Sequence, residues 1–122
     1  MKKVVLTFLI SFFAFNIANA YSIGPKNFYK AINKRNLVIV KFWASWCIPC
    51  SILNPEFKKA KREMGKKVTF LEYNVDLGGE PLRKYNISVV PTMIIFKNGK
   101  EIDRKSEILD SSAIIEWLKE YQ

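Results

Sequence analysis

The run Leu37-Val-Ile-Val-Lys-Phe-Trp43 leads within three residues into Cys47-Ile-Pro-Cys50, and this junction constrains the chain more than any other stretch. Its nearly unbroken β-branched and aromatic character predicts a central strand buried on both faces. A helical pattern follows from about Ile48 to Met64, with Leu53, Phe57, Ala60 and Met64 on one apolar stripe. A strand that turns straight into a helix places Cys47 at the helix N-terminus, where unpaired N–H groups and the helix dipole favour negative charge. The thiolate is the reactive form of cysteine, so this placement lowers the Cys47 pKa and arms it. Cys50, one turn inward, is expected to be more buried and poised to attack a mixed disulfide formed at Cys47. Pro49 removes a backbone donor and stiffens the first turn. The chain has two cysteines, and a bridge over so short a loop stabilises little. The pair is a reagent rather than a brace.

The remaining elements arrange themselves around that junction. Tyr21 to Gly24 is a candidate short strand, and Pro25 precedes a helical spacing of Phe28, Ala31 and Ile32 that runs to Asn33. Pro55 should kink the long helix, and Gly65 should end it with a left-handed cap. Val68 to Val75 is predicted to be a strand, Asp76 to Glu80 a turn and Pro81 to Tyr85 a short helix. Thr92 to Phe96 is the next strand, and Asn98-Gly99 signals a hairpin into another strand from about Glu101 to Ser106. Asp110 to Ser112 supply an N-cap for a last helix with Ile114, Trp117, Leu118 and Tyr121 on one face. Right-handed crossovers would make the strands separated by helices parallel, with the hairpin adding an antiparallel one. The expected fold is α/β, a central mixed sheet of about four strands, with a short N-terminal fifth as a candidate, flanked by helices on both faces.

Residues 1–20 are expected to be a signal peptide rather than fold material. Met1-Lys2-Lys3 is a basic start, Val4 to Ile17 is almost wholly apolar, and Ala18-Asn19-Ala20 offers a small-x-small cleavage pattern. Cleavage there leaves one domain, residues 21–122, long enough for a single core. If the segment is not cleaved, it serves as a membrane anchor. Export to the periplasm, or secretion, puts the cysteine pair outside the reducing cytosol. The formal charge of +9 raises nucleic acid as a partner. The lysines are scattered, however, with small clusters only at Lys58-Lys59-Lys61-Arg62 and Lys66-Lys67. A solvated helix face explains these better, and no nucleic-acid partner is expected. The absence of histidine removes imidazole from any catalytic or metal-binding scheme.

F-W-A-S-W-C-I-P-C at Phe42 to Cys50 resembles the active-site segment of the thioredoxin family. The resemblance extends through Pro55, N-V-D at Asn74 to Asp76, K-Y-N-I-S-V-V-P-T ending at Thr92, F-K-N-G at Phe96 to Gly99 and the C-terminal amphipathic helix. It covers essentially all of residues 21–122 and implies a thioredoxin fold. It also implies that Cys47 attacks, that Cys50 resolves, and that Pro91 is a cis-proline packed against the disulfide. Pro91's neighbouring backbone would meet the substrate chain; an ordinary pre-strand turn is the alternative reading of Pro91. Trp46, Ile48, Pro49, Val75, Val90, Thr92 and Ile108 would form the substrate surface. For Trp46, core burial is the alternative; Trp43 is expected in the core.

Departures from the family pattern are informative. Ile48 replaces the glycine of the common C-G-P-C, and Glu107 stands where thioredoxins usually have glycine. Lys41 occupies the place of a buried aspartate behind the resolving cysteine, and Glu72 the place of a lysine on the neighbouring strand. Lys41 and Glu72 are therefore candidate site residues with their signs inverted. Pairing across adjacent strands would avoid one costly unpaired buried charge. A cation there would stabilise thiolate, favour the reduced form and make the protein a stronger oxidant. The alternative is that Lys41 snorkels to solvent.

These residues predict a thiol–disulfide oxidoreductase, expected to reduce protein disulfides outside the cytosol. It would act as a monomer, with protein disulfides or dithiols as substrates, a membrane thiol protein as electron donor and no cofactor. A periplasmic oxidase and a redox-inactive chaperone using the same apolar surface are the alternatives. A metal module is disfavoured, because two thiolates make half a zinc site.

Overall fold

The computed structural model describes residues 21–122; the expected signal peptide or anchor, residues 1–20, lies outside the described residues. Among the described residues, five strands and four α-helices run in the order β1 (Tyr21–Ile23), α1 (Phe28–Ile32), β2 (Leu37–Trp43), α2 (Ile48–Met64), β3 (Val68–Asn74), α3 (Glu80–Lys84), β4 (Thr92–Lys97), β5 (Lys100–Lys105) and α4 (Ser111–Lys119). The sheet order is β1-β3-β2-β4-β5, so the short N-terminal strand is a true edge and β2 lies at the centre. Among the described residues, no helix is long and apolar enough to cross a membrane.

Alternation along β2 assigns its side chains to two cores. Leu37 and Ile39 face α2 and α4, packing with Leu53, Phe57, Phe70, Met93, Ile95 and Trp117. Val38, Val40 and Phe42 face α1 and α3, packing with Phe28, Leu71, Tyr73, Ile94 and Phe96. The strand is buried on both faces because each face has its own pair of helices.

One expected direction is corrected. β2 and β3 run parallel, as do β1 and β3, but β4 is antiparallel to β2. The connection explains the difference. A parallel strand would require the chain to travel back along β3, roughly 23 Å for seven residues. The five residues of α3 cover only about 8 Å. The rest of the connection lies in the Val75–Leu77 turn and the loop before β4, so no element carries the chain back along β3. The chain therefore re-enters the sheet from the end it left, and the Val89–Pro91 loop arrives beside the start of α2.

Smaller boundaries also differ. β3 ends at Asn74, and Val75–Leu77 forms a 3-10 turn capped by Asn74 Oδ1, which accepts from Asp76 N at 2.9 Å. α2 continues through Pro55 without a break. Gly65 has the expected positive φ of 62°, but its ψ of −134° lies outside the left-handed helical well, and a 3-10 turn follows. Asn98 and Gly99 both have positive φ in the β4–β5 hairpin, as the tight turn demands.

Candidate active site

The site assembles at the end of the sheet where β2 and β3 finish and β4 begins. Cys47 is the N-cap of α2, with an extended backbone. Its Sγ accepts the Cys50 backbone N–H at 3.1 Å. The first turn of α2 holds no acidic side chain, so nothing there competes with sulfur for the positive end of the dipole. Cys47 and Cys50 are joined as a disulfide. Cys47 is 6% exposed and Cys50 1%, so an incoming group reaches Cys47 first. Ser51, one step on, directs its hydroxyl to Ile48 O at 2.7 Å and stays out of the sulfur's way.

Val90–Pro91 is a cis peptide bond. The loop lies against the disulfide, with Cys47 Sγ 3.6 Å from Val90 O. Val75, Val90 and Trp43 pack on the small cluster of Ala44, Cys47 and Cys50. Trp43 is half-buried there rather than a full core residue, because it ends the strand where the helices no longer cover both faces.

Trp46 is 66% exposed and Ile48 74% exposed; the core alternative for Trp46 does not hold. The indole is nevertheless oriented, since its Nε1 donates to Asp76 Oδ1 at 3.0 Å. It lines a shallow cavity of about 460 Å³ with Val75, Ile87, Ser88, Val89 and Val90. Pro49, Ile108 and Glu107 are exposed as well. Thr92 is the exception among the expected contact residues, because its side chain is buried. Its Oγ1 donates to Val89 O at 2.8 Å and lies 2.9 Å from Ser106 Oγ. Thr92 holds the loop in place from behind and does not present its side chain to a partner. Asp76 and Val89 were not legible as site residues, because each is brought to Trp46 only by the turn after β3 and the loop before β4.

Lys41 does not snorkel. It is 0% exposed, on the α2 face of β2, and its Nζ is 3.2 Å from Glu72 Oε1 on β3. The parallel register sets Lys41 directly beside Glu72. The ammonium also donates to Asn54 Oδ1 and lies 4.8 Å from the centre of the Phe57 ring. Burial pushes the Lys41 pKa below the ordinary lysine value, and the Glu72 carboxylate opposes that shift. Among the described residues, no three histidine, cysteine or carboxylate side chains converge as metal ligands.

The family model for thioredoxin matches residues 19–120. The chain belongs to the thioredoxin family. It is 36% identical to a thioredoxin of Rickettsia bellii over 100 residues, covering 81% of this chain and 95% of the relative. It is 33% identical to a thioredoxin of Chlamydia trachomatis, covering 82% and 96% respectively. Among solved structures, Malassezia sympodialis thioredoxin superposes with a TM-score of 0.76 at 28% identity, covering 86% of this chain and 92% of that one. A mutant thioredoxin of Halobacterium salinarum shares the fold at the same TM-score and 19% identity, covering 85% of this chain and 91% of that one. As a thioredoxin-family member with an intact Cys47–Cys50 pair, the chain is a thiol–disulfide oxidoreductase, and the family generally acts on protein disulfides.

Proposed function

We propose that this protein works as a reductase of protein disulfides outside the cytosol, supplied with electrons by a membrane thiol protein. The observation that carries the chemistry is Cys47 Sγ at the mouth of α2, accepting the Cys50 N–H at 3.1 Å. After reduction, that amide and the helix dipole hold Cys47 as thiolate. The thiolate attacks one sulfur of a substrate disulfide, and the other substrate sulfur leaves as thiolate and takes a proton from solvent. Cys50 loses its proton and attacks Cys47 Sγ of the mixed disulfide. The second substrate thiol departs, and the Cys47–Cys50 bond forms. Two electrons have passed from the dithiol to the substrate, and an external dithiol must restore them. The exposed Trp46 indole and the cavity beside Val89 and Val90 offer an apolar seat for the substrate chain.

The direction is supported by likeness over nearly the whole length of proteins named thioredoxin. The address is supported by the basic, apolar and small-residue pattern of residues 1–20. Acid quenching of cells followed by thiol alkylation measures the state of Cys47 and Cys50 in place. A predominantly reduced pair in the exported fraction is expected. A predominantly oxidised pair would make the protein a disulfide donor, and recovery only from the cytosol would overturn the address. Cys50→Ser should accumulate mixed disulfides through Cys47.

A further inference from the structure

We propose that the end of the sheet away from the cysteine pair is a docking surface for an anionic phospholipid bilayer, built by Lys34, Arg35, Lys66, Lys67, Lys97 and Lys100. These cations are scattered along the sequence, and the fold gathers them. Lys34 and Arg35 lie between α1 and β2, Lys66 and Lys67 between α2 and β3, and Lys97 and Lys100 flank the β4–β5 turn. β2 and β3 begin at this end, with Leu37 beside Val68, and β4 finishes there, with Phe96 beside Val38. Lys97 pairs with Lys100 across the hairpin, and Asn98 N donates to Lys34 O at 3.1 Å. Arg35, Lys67 and Lys97 line one shallow hollow of about 240 Å³ with Leu37 and Tyr121.

Each of these cations is exposed. Among the described residues none of them stands in an ion pair. Glu63 shares a neighbouring hollow with Lys67 and Lys119, its carboxylate set against a larger group of cations. Like charges directly opposite on paired strands, as at Lys97 and Lys100, are destabilising. A plane of lipid phosphates relieves that repulsion over the whole end at once, and every cation within a Debye length of the surface adds to the attraction.

A bilayer fits better than a nucleic acid because of where the apolar stretch Val4 to Ile17 joins the fold. The chain enters at Tyr21, the first residue of β1. β1 runs parallel to β3, towards the cysteines, so Tyr21 is the end of β1 nearer the basic face. Tyr21 is 61% exposed, an aromatic ring with a polar tip of the kind that settles at a lipid–water boundary. Retained, the apolar stretch holds this face to the bilayer; once it is removed, the cations alone give a salt-sensitive attachment. β2 spans seven residues, about 23 Å, so docking at this end turns Cys47 and Trp46 towards the aqueous side. The setting rests on the export proposed above; the surface itself does not.

The test takes the protein as the cell processes it and measures its partition, at limiting lipid, onto vesicles of phosphatidylcholine with and without phosphatidylglycerol. The anionic vesicles should bind about tenfold more tightly or better, with the difference lost at high salt. Arg35→Gln, Lys67→Gln and Lys97→Gln together should remove most of that preference. The same charge removed elsewhere on the exposed surface, by Lys26→Gln, Lys59→Gln and Arg83→Gln, should leave most of it. Equal losses in the two triple variants would reduce the effect to net charge and overturn the proposal, as would equal binding to both vesicles. Tighter binding to a DNA duplex than to anionic vesicles at the same salt would overturn the bilayer as partner. Insulin reduction driven by dithiothreitol should be unchanged in both variants and in vesicle-bound protein, and its loss on vesicles would overturn the orientation. Failure of the parent to reduce insulin in free solution refutes the reductase reading instead, so the two failures are distinguishable.

Discussion

The Trp46 indole is exposed to solvent and yet tied down, with its Nε1 donating to Asp76 Oδ1 at 3.0 Å. Asp76 is itself fixed by the Asn74 side chain, which accepts the Asp76 N–H at 2.9 Å. An apolar ring beside Cys47 is thus held by the turn after β3, and a partner docking there would meet it already oriented.

Asp76→Ala releases that ring without touching either cysteine. The catalytic efficiency of insulin reduction should fall about fivefold, the order expected for one hydrogen bond. Most of the loss should be in KM, and the glutathione equilibrium of the cysteine pair should stay unchanged. A loss confined to kcat would show that Trp46 acts in the chemistry and not in docking.

Thr92 binds the loop that carries Val89 and Val90 through its hydroxyl, to Val89 O at 2.8 Å and Ser106 Oγ at 2.9 Å. Thr92→Val keeps the volume and removes both bonds at a buried position. Stability should fall by about 1–3 kcal/mol in urea unfolding. KM for protein disulfides should rise while small disulfides, which need no long docking surface, react at nearly the parent rate.

Asp103 joins β5 to α4, with Oδ2 accepting from Trp117 Nε1 at 2.8 Å and Tyr121 OH at 2.6 Å. These bonds, Trp117's first, hold its carboxyl below the ordinary value of 3.8. Because the folded state depresses this pKa, its contribution to stability is complete above the unfolded value. It is lost as pH falls through the lower folded one. Urea midpoints should therefore decline below about pH 4 in the parent protein and decline less in Asp103→Asn. Asp103→Ala leaves the buried Trp117 N–H without its acceptor and should cost about 1–3 kcal/mol at neutral pH.

Gly79 enters α3 with φ of 110°, a conformation that L side chains rarely adopt. A β-carbon there would lie 2.7 Å from Pro25 Cγ and 2.8 Å from the Tyr73 hydroxyl, and that hydroxyl is needed for its bond to Gly78 O at 2.6 Å. Gly79→Ala should destabilise the fold by about 3 kcal/mol, strain and clash together. Gly78→Ala has positive φ but open space around it, so about 1 kcal/mol is expected. Equal losses in thermal or urea unfolding would show that backbone strain alone accounts for both.

Much of the site could be located from local residues because its chemistry is local. A buried run, a turn and C-x-x-C at a helix start are contiguous, so Leu37–Trp43 and Ile48–Met64 are the elements the structure contains. Thr92 was misjudged for an opposite reason. A threonine just after a proline at the start of a strand can turn either way, and Ser106, fourteen residues on, supplies the partner that turns it inward. Asn54 was missed although its position four residues after Cys50, next to Leu53 and Phe57, was visible as a polar residue beside a buried stripe. Its bond depends on a lysine arriving from β2.

By itself, the order of residues determined which stretches bury their side chains, where the cysteine pair meets a helix dipole and which family the domain resembles, because each of these depends on neighbours within a few positions. Only the tertiary structure decided that β4 runs antiparallel to β2, that Val90 closes on Cys47, and that Lys41 is enclosed by Glu72, Asn54 and Phe57. Those relations depend on strand order and register, which are settled by how two cores close over one sheet.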